Sequence, residues 1–166
     1  MKQPLATIAA CLAIVAGLAM ALLSPHVAAA DVSRGTDAEA EALVKRAIVY
    51  YQKNGREKSM DEFSKSPGPF VDRDLYVTVL TMNADSLAHI NPKMRGKNTM
   101  DYRDPDGNFP IRERTQVAAK DGKGWQEFKF FNPMTKQIEM KHTYFEKYDN
   151  LIFSSGAFRP VKSLPR

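Results

Sequence analysis

The spacing of apolar positions changes several times along the chain, and each change marks a different element. Lys2 is followed by Leu5–Leu23, a run without charge, then by Ser24-Pro25 and the small-residue stretch Val27-Ala28-Ala29-Ala30. A cationic start, an apolar middle and a small-residue end predict a secretory signal peptide over residues 1–30. About 20 apolar residues also span a bilayer, so an uncleaved N-terminal anchor is the rival reading. Ile8-Ala9-Ala10-Cys11 has the look of a lipoprotein processing box, but most of the apolar run follows it. All three place the remainder outside the cytoplasm, periplasmic or secreted, with membrane contact only if the leader is retained.

Residues 31–35 form a polar spacer. Thr36-Asp37-Ala38-Glu39 then matches a capping box, in which hydroxyl and carboxylate satisfy the free backbone donors of a helix start. Ala40, Leu43, Val44, Ala47, Ile48 and Tyr51 recur at helical spacing, and Asn54-Gly55 supplies a stop. Glu57–Ser64 predicts a shorter helix, ended by Ser66-Pro67-Gly68-Pro69. From Leu75 to Met82 the residues become β-branched and aromatic, and turn formers separate this strand from Leu87-Ala88-His89-Ile90, predicting a hairpin. Asn91–Gly107 reads as a long irregular connection of the kind that often serves as a lid. A weak helix over Phe109–Lys120 follows, then strands at Trp125–Phe131, Ile138–Tyr148 and Leu151–Ala157.

This order predicts an α+β fold: a five-stranded antiparallel sheet with the long N-terminal helix packed on one face. The other face is left to form a cavity.

Composition narrows the chemistry. The 166 residues are 43% hydrophobic and 26% charged, a globular balance that excludes collagen-like, disordered and many-pass membrane proteins. The single cysteine, Cys11, lies in the leader, so the domain has no thiol for catalysis, redox switching or metal binding. The net charge of +5 is scattered among acids, which suits a small organic anion and not a nucleic acid. His89 and His142 lack metal-ligand spacing. In Asp104-Pro105-Asp106-Gly107-Asn108 the glycine stands fourth, where a calcium loop needs it sixth, so a plain turn is expected. No nucleophile motif accompanies either histidine, and no enzyme, metal or cofactor is expected.

Lys141 allows two readings, a solvent-facing lysine of an edge strand or a cation turned into the cavity, where an anion would have to join it. Alternation groups Lys141 with Thr143 and Phe145, and Tyr144 with Met140 and His142 on the opposite face, so a regular strand cannot turn both Lys141 and Tyr144 inward. His89, just ahead of the long connection, is either a donor to an anion or a structural histidine bonded to a loop carbonyl. Tyr76, Trp125, Phe128, Phe130 and Tyr144 are candidate aromatic walls, and also candidate core.

The series Asp74-Leu75-Tyr76-Val77, Leu87-Ala88-His89, Asn91-Pro92, Gly96-Lys97-Asn98, Asp104-Pro105-Asp106-Gly107, Gly124-Trp125, Asn132-Pro133, Lys141–Tyr144 and Ser155-Gly156 resembles the single Cache domain. That domain is a small extracytoplasmic sensor module of bacterial chemoreceptors and kinases. The resemblance assigns residues 36–158 to the domain and 159–166 to a tail. It implies a PAS-like fold and one pocket for a short carboxylate, without catalysis. Together, the residues and the resemblance make Tyr76, His89, Trp125, Phe128, Phe130, Lys141 and Tyr144 the expected ligand-binding residues, with Lys141 as the carboxylate's counter-charge.

Three positions depart from the family pattern. Asn83-Ala84-Asp85 stands where a hairpin glycine is usual, Ile90 where a proline is common, and Phe128 where a tyrosine hydroxyl is usual. Losing that hydroxyl changes which ligand oxygens can be bound. The implied partner is a small organic acid, with a membrane receptor or sensor kinase reading the bound state in signal transduction or chemotaxis. The alternative is a periplasmic interaction or structural protein whose cavity is filled by its own side chains.

Overall fold

A computed structural model of the protein describes residues 33–161. The expected signal peptide, residues 31–32 of the spacer and residues 162–166 of the tail lie outside the described residues. Helix α1 spans Asp37–Asn54, and its capping box forms as the sequence requires: the Thr36 side chain accepts from Glu39 N, and the Glu39 carboxylate accepts from Thr36 N at 2.8 Å. All six residues of the expected apolar stripe are buried. Gly55 ends the helix at φ +76°, a region that L side chains rarely adopt. Helix α2 covers Arg56–Phe63.

The remaining elements are β1 (Val71–Asp72), β2 (Leu75–Tyr76), β3 (Thr78–Thr81), β4 (Ser86–Ala88), α3 (Pro110–Asp121), β5 (Lys123–Asn132), β6 (Gln137–Tyr148) and β7 (Leu151–Arg159). The five-stranded antiparallel sheet has the order β4-β3-β7-β6-β5. The strand expected over Leu75–Met82 is divided. Its first two residues pair with β1 in a separate ribbon, and Val77 N donates to Phe70 O, away from the main sheet. Alternation is kept across the division: Tyr76, Thr78 and Leu80 line the cavity face while Leu75, Val77 and Val79 join the core beneath α1.

The two faces of the sheet are packed differently. On one, α1 lies over β6 and β7, and Tyr144, Leu151, Phe153 and Ala157 meet its stripe in one apolar cluster. On the other, α3 covers only part of the sheet, where Ala118 packs with Leu80, Phe145 and Ile152. The long connection before α3 closes the rest. Ser86 N donates to Lys97 O, Gly96 N to Ser86 O, and Thr99 bonds Ala84 O through both its N–H and its hydroxyl. The segment expected to be a lid is thus bonded to β4 and to the turn before it, and forms a wall. Within it the Asp104 carboxylate accepts from Asp106 N, Asn108 N and Asn108 Nδ2, closing the expected turn.

Candidate functional site

Strand alternation and the long connection together enclose a cavity of about 50 Å³ on the face opposite α1. On this measure one buried water needs roughly 10–15 Å³, so the space suits about four non-hydrogen atoms. Phe128 of β5 is directly opposite Lys141 of β6, and Gln126 opposite Thr143, so all four project to the same face. The wall at β7 depends on a missing side chain. Gly156 is paired with Thr143, and a Cβ there would lie 2.5 Å from Thr143 Oγ1 and 2.6 Å from His142 O.

Lys141 is 5% exposed and is ringed by aromatics, its Nζ 3.8 Å from the centre of the Tyr76 ring, 4.8 Å from that of Phe158 and 5.5 Å from that of Phe130. These faces attract a cation but do not accept its hydrogens as an anion would. Among the described residues Lys141 makes no salt bridge or hydrogen bond. Burial holds its ammonium well below the usual lysine range, Arg114 depresses it further, and Asp74 works in the opposite direction.

Arg114 of α3 is the second buried cation, 3% exposed. Its Nε and Nη2 donate to Gln126 Oε1, both at 3.3 Å, and its Nη1 to Ser154 Oγ at 3.2 Å. Gln126 is held in turn by bonds to Pro110 O and Glu113 Oε2, and Ser154 by Thr78 Oγ1. The guanidinium is fixed in place and, having five N–H groups, keeps free donors for a guest. Burial lowers its pKa to about 10, so it stays charged at neutral pH. Two basic side chains therefore face one small cavity with no carboxylate paired to either.

His89 also lines the cavity, edge-on to Tyr76 with ring centres 5.5 Å apart. Its Nδ1 accepts from Asn91 N at 2.8 Å, which puts the proton of the neutral ring on Nε2 and makes that nitrogen a donor. The ring nitrogen thus accepts a loop N–H, where the structural alternative had it donating to a loop carbonyl. Burial first, then the Lys141 charge, lowers the His89 pKa to about 4.

Of the seven residues singled out from sequence, Tyr76, His89, Phe128, Phe130 and Lys141 come together around the cavity. Trp125 and Tyr144 do not. They pair across β5 and β6 on the α1 side, where Trp125 stacks on His142 at 4.6 Å and the Tyr144 hydroxyl donates to Glu146. The placement follows from the two-residue period of a strand: no bulge interrupts β6, so turning Lys141 toward the cavity turns Tyr144 toward α1. Arg114, Met94, Thr99 and Tyr102 also line the cavity and were not anticipated. For Arg114 a signal was present, since it stands with Ile111, Thr115 and Ala118 at helical spacing, a charge set within the buried stripe of α3.

The fold has solved counterparts. A methyl-accepting chemotaxis protein from Vibrio parahaemolyticus is similar at a TM-score of 0.63 and 18% identity, over 73% of this chain and 86% of that one. A Cache chemosensory domain described for carboxylic acid recognition matches at a TM-score of 0.63 and 20% identity, over 73% and 91%. The periplasmic sensor domain of a chemotaxis protein matches at 0.56 and 17%, over 73% and 88%. No curated protein sequence matches this chain. No helix among the described residues is long and apolar enough to cross a membrane. The single Cache domain 2 family model matches residues 12–155, and with the α+β fold and the pocket beneath α3 this chain belongs to that family of extracytoplasmic ligand-sensing domains.

Proposed function

We propose that this is an extracytoplasmic Cache domain that senses a short carboxylate of two or three carbons. The observation that carries this reading is the pair of buried cations, Lys141 and Arg114, turned toward one small cavity with no carboxylate paired to either. An unpaired buried charge is costly, and a bound anion offsets that cost for both groups at once. In this reading the carboxylate oxygens lie between the Lys141 ammonium and the remaining Arg114 N–H groups. Tyr76 and His89 Nε2 donate further hydrogen bonds, and Phe128 and Phe130 exclude water. At about −1.5 kcal/mol per non-hydrogen atom, a four-atom acid gains roughly −6 kcal/mol, a dissociation constant of some tens of micromolar.

The bound state would be read by a membrane receptor or sensor kinase, through a shift in the wall formed by residues 91–107. Calorimetry of the domain against formate, acetate, propionate, pyruvate and lactate tests the proposal. Binding of at least one acid, abolished in Lys141→Ala, supports it. Unchanged affinity in that variant overturns the assigned anion contact. No heat and no thermal shift with any acid would favour a self-filled scaffold without a ligand.

A further inference from the structure

The cavity has a larger neighbour. An outer chamber of about 300 Å³ is lined by Ile90, Phe131 and Pro133, together with Tyr76, His89, Met94 and Phe130. The last four also line the inner cavity, so they stand between the two spaces as a partition. The chambers differ in chemistry. The inner one holds both cations, whereas Ile90, Met94, Phe130, Phe131 and Pro133 make the outer one largely apolar. Phe131 leaves 47% of its surface exposed there, an aromatic ring without full cover.

Tyr76 and Phe130 project from strands, and His89 is tied down through Asn91 N. Met94 is the unbranched, half-buried member, carried on the long connection, and a thioether chain with three rotatable bonds adapts readily. We propose that Met94 in the partition sets the chain length at which binding fails, by closing the inner cavity off from the apolar outer chamber that the chain of a longer monocarboxylate would otherwise enter. This rests on the carboxylate reading of the inner cavity. With Met94 in place the guest is confined to two or three carbons; with it removed, the carboxylate keeps its cationic seat and the chain passes outward.

The test is calorimetry with the straight-chain series from acetate to hexanoate on the full domain. In the wild type, affinity should fall beyond propionate. In Met94→Ala the order should reverse, hexanoate gaining at least tenfold relative to acetate, since each buried methylene is worth roughly fourfold. Adding Phe131→Ala, which touches only the outer chamber, should remove that gain and leave acetate binding unchanged. A Met94→Ala profile parallel to that of the wild type would overturn the inference while leaving the short-acid reading intact. Failure of the wild type to bind any acid would overturn both.

Discussion

Lys141 and Arg114 line one cavity from different elements, the first from strand β6 and the second from helix α3, and neither forms a salt bridge among the described residues. Several other cations among the described residues are paired. Arg34 meets Glu139, Arg73 meets Glu39 and Asp72, and Arg159 meets Asp37. Leaving two buried cations without an acid lowers stability at a place where an anion can restore it, a trade typical of binding sites.

Replacing Lys141 by methionine separates stability from binding. The volume is nearly kept while a buried amine without a hydrogen-bond partner, costly to charge where it stands, is lost, so Lys141→Met should unfold at the same or a higher temperature, by the equivalent of about 1–3 kcal/mol. Short carboxylates should bind at least about tenfold more weakly. Thermal denaturation and calorimetry on the same sample check both. A large drop in melting temperature would mean that the ammonium supports the fold.

Binding should take up protons. Burial and Arg114 hold the free Lys141 amine well below its usual range, and a bound carboxylate favours the charged form. Above the pKa of the free site, affinity should therefore fall as pH rises, approaching tenfold per pH unit. Binding heats measured in buffers of different ionisation enthalpy should report net proton uptake, and Arg114, charged throughout, should contribute none. Heats independent of buffer would contradict this.

His89 makes folding itself pH-dependent. Its pKa falls from 6.5 in the unfolded chain to about 4 in the folded one, so between these values the unfolded state binds the extra proton. Stability is fully present above about 6.5 and is lost as pH falls toward 4, by on the order of a few kcal/mol. Protonated Nδ1 would also confront the Asn91 N–H that now donates to it. His89→Gln should flatten the melting-temperature curve over this window, once the carboxylates that titrate lower are allowed for. An unchanged slope would locate the acid sensitivity elsewhere.

Gly156 tests the packing of the cavity wall. Its Cβ would meet Thr143 Oγ1 at 2.5 Å and His142 O at 2.6 Å, and backbone in a central sheet pair cannot give way cheaply. Gly156→Ala should cost about 1–3 kcal/mol and weaken carboxylate binding by shifting β7 against β6. Chemical denaturation measures the first effect and calorimetry the second. A variant of wild-type stability would show that the strands move apart freely.

Local pattern alone identified α1 from its capping box and six-residue stripe, the strands of the main sheet from alternation, and Gly55 as a stop. Alternation along β6 also established that Lys141 and Tyr144 face opposite ways. Which of the two faces holds the cavity was not legible, because a period of two separates the faces without saying what covers each. That depended on α1 packing over Tyr144 and Phe153 and on α3 leaving the Lys141 side partly open. Arg114 was beyond a local reading for a related reason: a charge on the buried stripe of a weak helix acquires meaning only when Gln126 and Ser154, far along the chain, arrive to hold it. Sequence determines periods and caps, which depend on neighbours within a turn or two. Tertiary structure decided burial without a counter-charge, which depends on every element that excludes water from the same point.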